Sequence, residues 1–129
     1  MAVSALVAYA LQRAGPQLDE AGRSTLEQVR DQLVRAQGPE GGIRDPARRR
    51  EHRVYATSLA LQALLNDEGE PLERHAAAVA RMKDWLVAQQ VQESQGYDPI
   101  DRRYGGWSYH DSFANSGLRT DVSTARYAL

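Results

Sequence analysis

Apolar residues recur at helical spacing along four stretches of this chain. Val3, Leu6, Val7, Ala10, Leu11 and Ala14 form one stripe of a helix predicted over 3–14, which Gly15-Pro16 ends. A second helix is predicted from Ser24, because Ser24 and Glu27 have the spacing of a capping box. Leu26, Val29, Leu33 and Ala36 make its stripe, and Gly38-Pro39 stops it. The third, over 54–65, differs in kind. Tyr55, Ala56, Leu59, Ala60, Leu61, Ala63, Leu64 and Leu65 cover nearly its whole circumference, the pattern of a helix buried on all sides. Pro71 suits the first position of a fourth helix, which runs to about Gln90 through Leu72, Ala76, Val79, Met82 and Leu86. Residues 91–120 show neither periodicity, so they read as a long irregular loop, either functional or an insertion. A fifth helix starts near Asp121 and occupies 121–129. No alternation of useful length predicts a strand. The fold class expected is all-α, with residues 1–129 forming one partial domain: helical hairpins over 3–90, the irregular loop, and the start of the next helix.

Composition narrows the function classes. A net charge of −1 excludes a general nucleic-acid surface, which needs a basic excess. No apolar run is long enough for a transmembrane segment, and the N-terminus lacks the basic start and cleavage site of a signal peptide. The chain has no cysteine, which removes disulfides, thiol catalysis and cysteine-ligated zinc together and fits a cytoplasmic location.

Two stretches match each other. Leu33-Val34 is followed by Gln37, Gly41-Gly42-Ile43, then a helix opening with Val54. Leu86-Val87 is followed by Gln90, Gly105-Gly106-Trp107, then a helix opening near Val122. The order is helix end, glutamine, Gly-Gly-apolar, helix start. Glycines let the backbone turn tightly after a helix. The bulky residue after them plugs the gap between stacked hairpins, and a glutamine at the helix end can bond backbone groups of the neighbouring helix.

This pattern resembles the repeat of prenyltransferases and squalene cyclases, the unit of the α/α toroid found in terpene cyclases and protein prenyltransferase β-subunits. In the second unit Arg81, Trp85-Leu86, Gln90 and Gly105-x-Trp107 follow the family's QW motif, with a long insertion between Gln90 and Gly105. The first unit departs further, with Gln32 at the aromatic position and Ile43 in place of tryptophan. The resemblance implies an incomplete toroid, an isoprenoid-type or other apolar small molecule as ligand, and aromatic side chains lining an apolar cavity.

The family's chemistry is not carried over with the motif. The Asp-x-Asp-Asp cluster that protonates an alkene in squalene-type cyclases is missing; its nearest approach, Asp98 and Asp101, sits beside Arg102 and Arg103 and reads as loop carboxylates paired with arginine. The zinc site of protein prenyltransferases needs a cysteine. His110, Asp111 and Asp121 could form a metal or acid–base group, although they lack diagnostic ligand spacing and Asp121 also suits a helix cap. Tyr97, Tyr104, Tyr109 and Phe113 could face an apolar ligand or order the loop, whereas Trp107 is expected to pack as a structural plug. Arg48, Arg49, Arg50 and Arg53 could grip a pyrophosphate or acidic partner, with Asp45 and Glu51 partly neutralising them. His52 and His75 read as surface residues. No catalytic residue, metal or cofactor is assigned. The expected function is that of a partial terpene-cyclase or prenyltransferase-like repeat protein whose reacting groups lie outside this chain. The alternatives are a toroid scaffold for protein interaction and an apolar-ligand binding protein. The abrupt end of the fifth helix predicts further chain, self-association or a second subunit to complete the toroid.

Overall fold

The computed structural model describes residues 2–44, 52–65 and 71–108; the fifth helix expected over 121–129 lies outside them. Among the described residues four helices form, α1 (Ala2–Ala14), α2 (Glu20–Arg35), α3 (Arg53–Ala63) and α4 (Ala76–Ala88), with short 3-10 turns between α1 and α2, before α4 and after it. The only strand-like pairings among these residues are the isolated bridges Gln37–Ile43 and Leu65–Pro71. The fold is all-α, and none of these helices is long and apolar enough to cross a membrane.

The core gathers around α3, which packs against α1, α4 and α2. Val54, Ala56, Thr57, Ser58, Leu59, Ala60, Leu61 and Ala63 are all buried, as its all-round apolar pattern predicts. Its two fully buried hydroxyls, Thr57 and Ser58, are satisfied inside the core. Ser58 Oγ donates to Val54 O at 2.9 Å, and Thr57 Oγ1 accepts from Ile43 N at 2.9 Å.

Helix α1 turns a different face inward from the one its bulky residues mark. Ala5 and Ala8 are fully buried, with Ala2 and Leu11 partly so, whereas Val3, Leu6 and Val7 remain 74%, 46% and 43% exposed. Small side chains shorten the distance at which two helices can pack. The alanine face of α1 lies against α3, itself rich in alanine, and the larger residues are left outside. Gln12 ties the far end down, its Nε2 donating to Leu65 O at 2.7 Å.

Two helix starts differ from expectation. Helix α2 begins a turn before Ser24, because Asp19 caps it: the Asp19 carboxylate accepts from Gly22 N at 2.7 Å, an anion at the positive end of the helix dipole. Ser24 then lies inside the helix, and Glu27 pairs with Arg30 at 2.7 Å and with Arg74. Helix α4 begins at Ala76, not Pro71. The end of α3 needs donors for its last carbonyls, and Leu72 N supplies one to Leu64 O at 3.2 Å. That bond holds Pro71 and Leu72 extended, so a 3-10 turn, Glu73–His75, has to come first.

His75 is buried, not on the surface. Its Nε2 accepts from Arg74 Nε at 3.0 Å. Burial pushes the imidazole below its ordinary pKa; the charges of Arg74 and Arg30 act the same way, and Asp31 opposes them.

Candidate functional site

The best-built constellation is the first Gly-Gly loop and the helix lying on it. Helix α2 ends at Arg35, and the chain folds back so that Gly38 N donates to Gly42 O at 2.9 Å and Arg44 N to Ala36 O at 2.9 Å. The Gln37 side chain then uses both its ends. Nε2 donates to Gly41 O within the loop and to Ala78 O in α4, each at 2.9 Å. Oε1 accepts from Arg81 of α4, from Nε at 3.1 Å and from the terminal nitrogen at 2.7 Å. One amide thus holds the end of one helix hairpin to the next.

Glycine is required at both following positions. Gly41 has φ +106, and a Cβ there would lie 2.2 Å from Arg81 O. A Cβ on Gly42 would lie 2.6 Å from the Trp85 ring. The loop therefore presses its bare backbone against α4. Arg53 also lies over Trp85, 5.0 Å from the ring centroid, and donates to Ile43 O at 3.2 Å. Arg53 also pairs with Glu40, which Arg44 holds at 2.8 Å. Burial alone would raise the Glu40 pKa; hydrogen bonds from Arg44, its own backbone amide and Arg53 outweigh that and hold it down at about 2. Ile43 is buried beneath the loop.

The second loop repeats this bonding. Gln90 Nε2 donates to Gly105 O at 2.8 Å, and Val91 N donates to Gly106 O at 2.9 Å. These are the counterparts of the Gln37–Gly41 and Gly38–Gly42 bonds. Trp107 takes the place of Ile43, 5% exposed, with Nε1 donating to Leu86 O at 2.7 Å. It packs as a plug, as expected.

The intervening segment is held by its own polar contacts. Gln95 Nε2 reaches Ala88 O at 2.8 Å, and Tyr104 donates to Glu93. Arg103 grips both oxygens of Asp101, at 2.9 and 2.6 Å, and stacks 4.9 Å from the Tyr97 ring. The Arg103 bonds hold the Asp101 carboxyl down at about 2. Asp98 accepts from Ile100 N at 2.9 Å. Tyr97 and Tyr104 thus make contacts within the loop itself. Tyr109, His110, Asp111, Phe113, Asp121, Arg48, Arg49 and Arg50 lie outside the described residues.

Several residues escaped the sequence reading. Arg30 is buried on α2 and donates from Nε to Ala63 O at 2.7 Å, satisfying the end of α3. It also borders an open groove of about 380 Å³ whose apolar walls are Leu18, Leu26 and Leu72. Nothing in the sequence marks Arg30, because an arginine within an amphipathic helix normally reads as solvated. Glu40 carried a usable signal, standing inside the Gln37–Gly41 span.

Among the described residues no three histidines or acidic residues gather as a metal site. What the geometry defines is an all-α protein with one loop design built twice. Set against known proteins, the chain matches no family model, no curated protein and no solved structure.

Proposed function

We propose that this chain is a stacking module of the α/α-toroid kind, resembling the repeats of terpene cyclases and prenyltransferases. It contributes wall and scaffold, and the reacting groups lie outside it. The observation that carries this reading is the Gln37 clamp, in which one side chain bonds its own Gly-Gly loop, the Ala78 carbonyl and the Arg81 guanidinium of the next hairpin. A residue so used serves stacking, and the same arrangement begins again at Gln90. The polar groups of the first loop are spent on backbone and on each other, which leaves it to position helices.

The test is incubation of the chain with geranyl, farnesyl and geranylgeranyl diphosphate and with squalene, followed by product analysis and by thermal unfolding. The reading expects no turnover. Cyclised or transferred product from this chain alone would overturn it. An apolar-ligand role is the second reading, favoured by the exposed Val3, Leu6 and Val7 on α1 and by the leucine-walled groove. It expects unfolding to shift upward with farnesol or squalene, since a ligand that binds only the folded state stabilises it by mass action.

A further inference from the structure

The two loops are built alike, but among the described residues only the first carries a helix. At the first, Gln37 reaches Ala78 O and Arg81, and Gly41 is pressed against the α4 backbone. At the second, Gln90 Nε2 bonds Gly105 O, and among the described residues no donor reaches Gln90 Oε1. Gly105 has φ +77, yet among the described residues a Cβ there would meet nothing within 4 Å. The loop has the bonding and the bare glycine of a helix seat, and among the described residues no helix lies in it.

The chain also carries a helix face in the matching register. Carrying Gln90 onto Gln37 carries Ala78, Arg81 and Trp85 of α4 onto Thr25, Gln28 and Gln32 of α2. In α4 Ala78 and Trp85 are buried beside the first loop, and Arg81, still exposed, bonds to it. In α2 all three residues are exposed. They are polar and uncharged, so each is able to meet a loop rich in backbone carbonyls and amides without desolvating a charge.

We propose that the Gln90–Gly105 loop of one molecule docks α2 of a second copy, head to tail, in the way the Gln37–Gly41 loop docks α4. In this contact Gln28 Nε2 donates to Gln90 Oε1 in place of Arg81. The Thr25 carbonyl accepts from Gln90 Nε2 in place of Ala78, and Gln32 covers the loop in place of Trp85. The contact joins different surfaces of the two copies, so it extends to a third copy and generates a ring or filament rather than a closed two-fold dimer. It rests on the stacking reading above.

Sedimentation of the full chain tests it, over about 1 to 300 µM, the range in which a modest interface forms and dissociates. The wild type is expected to associate with rising concentration. Gln28→Glu combined with Gln32→Glu places carboxylates against Gln90 Oε1 and is expected to stay monomeric, with its helical circular dichroism unchanged because both positions are exposed. Gln28→Arg combined with Gln32→Trp recreates the α4 face and is expected to tighten association about tenfold. A wild type that is monomeric throughout would overturn the docking, as would association that the two glutamates leave unchanged. Stability lost on Gln37→Ala in a monomeric wild type would leave the stacking role standing and the docking refuted.

Discussion

At the scale of single residues, this chain spends its best-placed side chains on backbone groups of neighbouring helices. Trp107 is the clearest case for measurement, being buried with its indole N–H on Leu86 O. Trp107→Ala is expected to cost about 3–5 kcal/mol in urea unfolding, through lost transfer energy and the cavity left behind. A cost near zero would mean that it plugs nothing. Gln37, Gly41, Gly42 and Trp107 were legible in the sequence because they recur, and recurrence at fixed order marks positions whose backbone setting is shared. The burial of Arg30 and the stacking of Arg53 on Trp85 were not. Arg30 meets Ala63, and Arg53 meets Trp85, across long stretches of chain, and no local pattern announces which arginine will be taken out of water.

At the scale of elements, the existence and order of the four helices followed from apolar periodicity, while their edges and faces did not. Asp19 outcompeted Ser24 as a cap, and the need for donors at the end of α3 delayed α4 past Pro71. The inward face of α1 was misread because Val3, Leu6 and Val7 are more hydrophobic than Ala5 and Ala8, whereas close packing on α3 favours the smaller side chains. The link between loop and α3 rests on Thr57, whose hydroxyl takes the buried Ile43 N–H. Thr57→Val keeps the shape and removes that acceptor, so it is expected to cost about 1–3 kcal/mol. Chemical denaturation reads this directly, and a neutral or stabilising Thr57→Val would remove the hydroxyl from the account.

At the scale of the whole molecule, pH acts on two junctions in the same direction. Glu40 has its folded pKa, about 2, below its ordinary 4.5, so its contribution is complete above pH 4.5 and lost as pH falls through about 2. His75 is also held below its ordinary 6.5, so the folded state resists its protonation; stability is full above pH 6.5 and declines as pH falls below it. Urea midpoints are therefore expected to fall from pH 7.5 to about 5, and His75→Gln is expected to flatten that fall. A midpoint that rises over this range would contradict the His75 assignment, and one that does not fall further below pH 4.5 would contradict that of Glu40. Sequence alone showed two copies of a loop; it did not show that the first is pressed against a helix, because the α4 contact belongs to the assembled arrangement. The same substitution at equivalent glycines measures that contact most directly. Gly41 and Gly105 both have positive φ, so alanine strains either backbone by about 1–2 kcal/mol. At Gly41 the new methyl must also displace the Arg81 carbonyl of α4, adding about 1–3 kcal/mol of overpacking. Unfolding free energies are predicted to place Gly41→Ala well below Gly105→Ala. Equal losses at the two positions would contradict the claim that the first loop is a seat already filled by its neighbouring helix.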